Sequence, residues 1–219
     1  MSSLPHADVQ AFLDEAVESE PQGLTYTPPR ISQMIRRALP PWGTIGCVQV
    51  AHRPHRFEMR RSQHQFVLYR QGSVSDGEVS IDGLRLAGPR ALDQFVDFIP
   101  AGALFEGWTG ERARVGYVLV SVDEDQLAAV CPTYRVQTDL KPLISCHDAF
   151  LRGLLERLDQ VVRSGKTDAL YLETLVMLLM QEVCALQQLP EVVPVNTGEF
   201  GPVQRQRLID YIEASLANE

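Results

Sequence analysis

The chain has 219 residues, 45% of them hydrophobic and 22% charged, with a formal net charge of −8 and a pI of about 5.2. That is the make-up of a folding globular chain with one generous domain or a domain with appendages, and it excludes a disordered or fibrous protein. The acidic balance argues against nucleic acid or anionic lipid as a direct partner of this chain taken alone.

No run approaches the roughly 20 apolar residues that span a bilayer, and the start, MSSLPHADVQ, lacks a basic segment followed by an apolar core. The expectation is no membrane partner. Cys47, Cys131, Cys146 and Cys184 are scattered with no Cys-x-x-Cys pair, which favours reduced thiols and a cytoplasmic location.

Residues 1–41 read as an N-terminal arm with short helices. Val9, Phe12, Leu13 and Ala16 make one helical stripe, and 31–39 is a second amphipathic candidate ended by Pro40 and Pro41. Such an arm more often covers a core than gates a ligand.

From 42 to 122 the pattern turns to short extended runs: 46–51, 57–61, 65–69, 79–86, 95–99, 103–108 and 115–122. Gly72, Asp76-Gly77, Asp82-Gly83, Gly88-Pro89 and Gly110 supply the turns. Pro100-Ala101-Gly102 makes a sharp corner, because proline presets one backbone angle and glycine tolerates the next. Short strands with no long helix between them predict an antiparallel barrel over 42–130, closed by a short helix at 123–130.

Residues 131–189 read as a helical dimerisation region, an antiparallel helix pair. Gly165 stops the first helix and Thr167 or Asp168 caps the second. The second carries too many leucines for one stripe, so it must be covered on more than one side, and a twin copy is the expected cover. Leu151, Leu155, Leu158, Leu172, Leu175 and Leu179 are the dimerisation candidates, which makes a homodimer the expected assembly.

Residues 190–202, dense in proline and glycine, read as a linker. Residues 203–219 resume a helix with Leu208, Ile209, Ile212 and Leu216 on one face, a face that needs a partner. The expectation is that this helix opens a further domain.

In order, FVDFIPAGALFEGW, VGYVLVSVDEDQL, a leucine-rich helix pair, a proline-rich linker and QRQRLIDYIEASLANE resemble the AraC family of transcription regulators over roughly 42–219. The resemblance implies a cupin-like antiparallel β-barrel (jelly roll) followed by the helix pair, an α+β chain. It implies an effector-sensing and dimerising role, a small-molecule effector, and DNA bound only through a missing C-terminal helix-turn-helix domain. RLIDYIEASL looks like that domain's first helix, and no base-reading residue lies in this sequence. Cupin metalloenzymes carry a histidine three residues after Pro-x-Gly, where this chain has Phe105, an apolar ring that cannot bind metal.

The strand aromatics Phe57, Phe66, Tyr69, Phe98, Phe105, Trp108 and Tyr117 are the effector-binding candidates. Any one ring is more often plain core, but together they can line an apolar pocket. Arg60, Arg70 or Arg114 could meet an anionic effector, against the commoner reading of solvated surface arginines.

His52, His55 and His64, with Glu58 and Glu106, match no ligand spacing, so turn and surface histidines are expected and no metal. No phosphate loop, nucleophile elbow or metalloprotease helix occurs, so no catalytic residue and no cofactor are assigned. The rival is a free-standing cupin-like metal-dependent enzyme. A thiol redox sensor using Cys131 or Cys146, near helix starts, is the third option.

Overall fold

The computed structural model describes residues 24–27, 32–39, 42–51, 53–111, 113–130, 134, 139–165 and 168–188. The helix expected in 7–17, Cys131, the linker at 190–202 and the helix at 203–219 lie outside them.

Two strands dictate the layering. Side chains along a strand leave on alternate faces. In β11 (Arg114–Val122), Val118, Val120 and Val122 take one face, Tyr117, Leu119 and Ser121 the other, and all are buried. In β5 (His64–Val74), Phe66 and Leu68 share the first face, Val67 and Tyr69 the second. A sheet buried on both faces needs a layer against each.

One layer is a second sheet. The larger sheet has seven strands. Six run in the order β12 (Leu143–Cys146), β9 (Val96–Ile99), β5, β11, β3 (Gly43–Val50), β2 (Ser32–Leu39), and β8 (Arg90–Ala91) joins at β5. The smaller has five, in the order β1 (Leu24–Thr27), β4 (His55–Arg60), β10 (Leu104–Thr109), β6 (Gly77–Ile81), β7 (Leu84–Ala87). All described pairings are antiparallel. The inner faces meet in a core that includes Leu24, Val48, Met59, Val67, Ile81, Ile99, Phe105 and Leu119.

Helices make the other layer: α1 (Glu124–Val130), α2 (Ala149–Ser164) and α3 (Ala169–Gln188). Asp148 caps α2, its carboxylate accepting from the Leu151 amide at 2.7 Å, and Gly165 ends it in the left-handed region at φ 66°. Asp168 then accepts from the Leu170 amide at 3.0 Å. Arg157 donates to the Tyr171 hydroxyl at 2.9 Å, and the Asp148 charge acts on Glu182 near the far end of α3. Those two contacts fit an antiparallel pair.

Several expectations need correction. Among the described residues no strand pairs from one sheet to the other, so the barrel is an open two-sheet sandwich. The second arm helix is strand β2, and β1 also lies in the segment read as arm. The run 79–86 breaks at Asp82-Gly83 into a β6–β7 hairpin, and β12 inserts a strand before the helix pair. Helix α3 is long and apolar enough to cross a bilayer by length and composition, with a mean hydropathy of 1.6. The expectation that no run approaches that length overlooked it. Leu172, Leu175, Val176, Leu179, Met180 and Val183 nonetheless fix its inner side in the core.

The six dimerisation leucines are spent inside the chain. Leu151, Leu155, Leu158 and Leu179 are fully buried, and Leu172 and Leu175 nearly so, all in the core that the helices share with the outer face of the large sheet. The large apolar side chains that α2 and α3 leave exposed are Phe150, Leu170 and Tyr171.

Candidate functional site

Between the sheets, hydroxyls and rings gather toward the β1–β4 edge. Tyr26 on β1 turns inward, and its hydroxyl lies 2.8 Å from that of Tyr117 on β11. The His55 ring sits edge-on to Tyr26 at 5.7 Å. Its Nδ1 is 2.9 Å from the Arg53 carbonyl oxygen, which can only accept, so the ring proton belongs on Nδ1. The Thr109 hydroxyl is 3.0 Å from the same nitrogen. Burial lowers the His55 pKa, against the opposing pull of that carbonyl, so the ring is held neutral. Phe57 packs on Phe105 at 5.0 Å, and Tyr69 meets Tyr117 edge-on at 6.2 Å. Burial raises both tyrosine hydroxyls well above their ordinary pKa, so they remain donors.

Deeper in, the Tyr69 hydroxyl donates to Asp97 Oδ2 at 2.6 Å, and Asp97 Oδ1 accepts from the Ser145 amide at 2.7 Å. Near the β5 start, Ser121 donates to Gln65 Oε1 at 2.6 Å, and Arg61 donates to Ser121 Oγ at 3.1 Å.

The seven effector candidates therefore divide three ways. Tyr69, Phe105, Tyr117 and the half-buried Phe57 line the sandwich interior. Phe66 and Phe98 face the helices, tilted against each other at 5.0 Å and fully buried, so no ligand between the sheets reaches them. Trp108 points out of the smaller sheet, 37% exposed. Tyr26, His55, Thr109 and Asp97 were missed as interior residues. Tyr26 carried no signal because its segment read as arm.

The histidine–glutamate group does not converge. His55 is interior, whereas His64 stacks on Phe98 on the helix side and bonds Glu124 at 2.9 Å. The Ala101 amide donates to His64 Nδ1 at 3.0 Å, and Tyr134 donates to the other Glu124 oxygen at 2.6 Å. Both histidines are buried, not surface residues. Glu58 and Glu106 lie on the outer face of the smaller sheet, and His52 is outside the described residues. Among the described residues no three His, Cys, Asp or Glu side chains gather as a metal site.

Arg60 donates to the Gly102 carbonyl at 2.7 Å and Arg70 pairs with Asp159, so neither faces the interior. The Arg114 side chain is outside the described set. Burial pushes the Cys146 thiol up to about 11, the opposite of what a reactive thiolate needs.

Gly107, between Phe105 and Trp108, allows β10 and Phe57 to approach. A Cβ there would collide with the Glu78 carbonyl oxygen and come within 2.6 Å of the Phe57 ring. Gly107→Ala is expected to cost about 1–3 kcal/mol in a urea titration, the range for forcing atoms into a filled site. A variant as stable as the parent would mean that the interior is looser than this packing.

The outer face of the smaller sheet holds an open depression of about 310 Å³ between Thr25, Glu58, Glu106 and Trp108.

No protein-family model matches the chain, and no curated protein matches it. Solved structures do. The cupin domain of Cnp3 from Schizosaccharomyces pombe is 12% identical over 54% of this chain and 77% of its own, with a TM-score of 0.36. An RmlC-like cupin from Shewanella frigidimarina is 13% identical over 50% and 86%, with a TM-score of 0.31. KdgF from Halomonas sp. is 20% identical over 44% and 84%, with a TM-score of 0.31. Each likeness covers about half of this chain.

Proposed function

We propose that the chain is the effector-sensing part of an AraC-type transcription regulator. A small molecule enters between the sheets at the β1 edge, with Tyr26, His55, Phe57, Tyr69, Phe105 and Tyr117 around it. The Tyr26–Tyr117 hydroxyl contact carries the reading. Among the described residues β1 is a four-residue edge strand paired to β4, and Tyr26 gives it a polar link to the central strand of the opposite sheet. A ligand hydroxyl or carbonyl that bonds Tyr117 in its place breaks the link and loosens β1 from the opposite sheet. The ligand thereby favours one arrangement of β1 over another, as coupling requires.

In this reading the protein is cytoplasmic, runs no reaction and needs no cofactor. It pairs as a homodimer through the apolar residues its helices leave exposed, Phe150 and Leu170. DNA contact belongs to a helix-turn-helix domain toward which 203–219 would lead.

The test is a thermal-shift screen of small polar metabolites, followed by limited proteolysis with each hit. A true effector at a hundredfold excess over its Kd adds about 2.7 kcal/mol of stability. It should alter cleavage beside β1 and lose its effect in Phe105→Trp, which fills the interior. Hits that ignore Phe105→Trp or leave β1 cleavage unchanged would sink the proposal. Stoichiometric iron, zinc or manganese tied to turnover would replace it with the cupin-like enzyme.

A further inference from the structure

The inner face of the smaller sheet is filled by the sandwich core, but its outer face carries an unusual row. The strand register sets Glu106 directly across from Glu58 on β4 and from Ser80 on β6. Like charges directly opposite on one sheet face repel, and a neighbouring cation usually relieves them. None does here. Among the described residues neither carboxylate has a hydrogen-bond or ion-pair partner, and Glu58 contributes only its backbone carbonyl, to Thr25 Oγ1 at 3.3 Å. Arg56 lines the same depression without an ion pair to either glutamate, and Arg85, across from Ser80, pairs with Glu78 at 3.3 Å.

Ser80 is the second observation. It is 4% exposed, it lines the depression, and its hydroxyl bonds no group among the described residues. Its oxygen is not sealed in the core and opens onto the depression. The row therefore presents three acceptors without a protein partner among the described residues, side by side on neighbouring strands about 5 Å apart. Trp108 stands two residues along β10 from Glu106, on the same face, with part of its ring open to the depression.

We infer that this depression binds a primary amine. An ammonium group offers three N–H donors, one each for Glu58, Glu106 and Ser80, and supplies the positive charge that the two carboxylates lack. The carbon chain next to it lies on the Trp108 ring, whose face attracts cationic groups and their alkyl neighbours. A bare metal ion fits less well, since one of the three acceptors is a neutral hydroxyl and no group of three His, Cys, Asp or Glu side chains is present among the described residues. Arg56, across from Trp108, sets the other end of the ligand: neutral or anionic, because a second cation would meet a guanidinium. This site and the sandwich interior lie on opposite faces of one sheet, so each can fail without the other.

Titration calorimetry of the full chain with n-butylamine tests it, with tetramethylammonium as a cation without N–H donors and sodium chloride as the ionic-strength control. Saturable butylamine binding is expected, at least tenfold tighter than tetramethylammonium. Glu106→Gln and Glu58→Gln should each weaken it at least tenfold and Ser80→Ala about threefold or more. Trp108 fluorescence should shift with the same midpoint, a change absent from Trp108→Phe because the other tryptophan, Trp42, is fully buried. Melting curves confirm that each variant is folded, and either glutamate variant alone suffices. Equal affinity for tetramethylammonium, a response matched by sodium chloride, or unchanged binding in a folded glutamate variant would overturn the assignment.

Discussion

Leu155→Ala is expected to lower the unfolding free energy by about 2–5 kcal/mol, and by the same amount at every protein concentration. Leu155 is fully buried and belongs to a core that also holds Phe66, Phe98, Val118 and Val120 from the large sheet and Leu172 and Leu179 from α3. Truncating it removes apolar contact with both and leaves a cavity that a close-packed layer cannot fully close. The concentration series decides what the leucines do. An intrachain core gives a difference between parent and variant that does not change with dilution, whatever the parent's own dependence. A leucine between two copies would instead give a midpoint that falls on dilution, with the variant shifting that dependence. Urea titrations followed by circular dichroism over a hundredfold concentration range separate the two.

Asp97 carries the second large effect. It is 1% exposed and accepts from both the Tyr69 hydroxyl and the Ser145 amide. Asp97→Ala leaves both donors buried without an acceptor, at a cost on the order of 3 kcal/mol. Asp97→Asn keeps an acceptor for the amide and can donate to the tyrosine oxygen, so it should be far milder and differ in its pH profile. Burial, the largest influence on this carboxyl, raises its pKa, against the downward pull of the Tyr69 and Ser145 hydrogen bonds and of Arg90. Between the ordinary aspartate range and that raised value, the folded chain holds a proton the unfolded chain has released. Stability from this group is therefore present at low pH and is lost as pH rises through the folded value. Asparagine does not titrate. The variant should accordingly gain on the parent in urea titrations as pH rises above the ordinary aspartate range and level off above the folded value, and a constant difference would mean that Asp97 stays ionised throughout.

Strands were legible where alternation is strong. The runs at 65–69 and 115–122 lie within β5 and β11, and Gly165 and Asp168 mark the turn between the long helices. The strand β2 was not. Ile31, Met34, Ile35, Ala38 and Leu39 have helical spacing, and pairing along the whole of β3 overrides that local preference. The aromatic set failed on parity. Phe66 and Tyr69 are an odd number of places apart on one strand, as are Phe105 and Trp108, so neither pair can share a face. Which face meets the other sheet depends on where the helices settle, and no local pattern encodes that. The Glu58–Glu106–Ser80 row was equally hidden, because it exists only once three strands are set in register.

One feature of the large sheet limits how any signal could cross it. Its central strand is loaded on both faces, with a bulge between Gly116 and Tyr117 against β5. Sliding β11 by one place would carry Ser121 and the Tyr117 hydroxyl into the oily seam beneath α2 and push valines toward Gln65. Slippage is thus closed as a route, and a disturbance at the Tyr117 side has a fixed path instead: Tyr69 packs on Tyr117, and its carbonyl accepts from Arg152 of α2 at 3.3 Å.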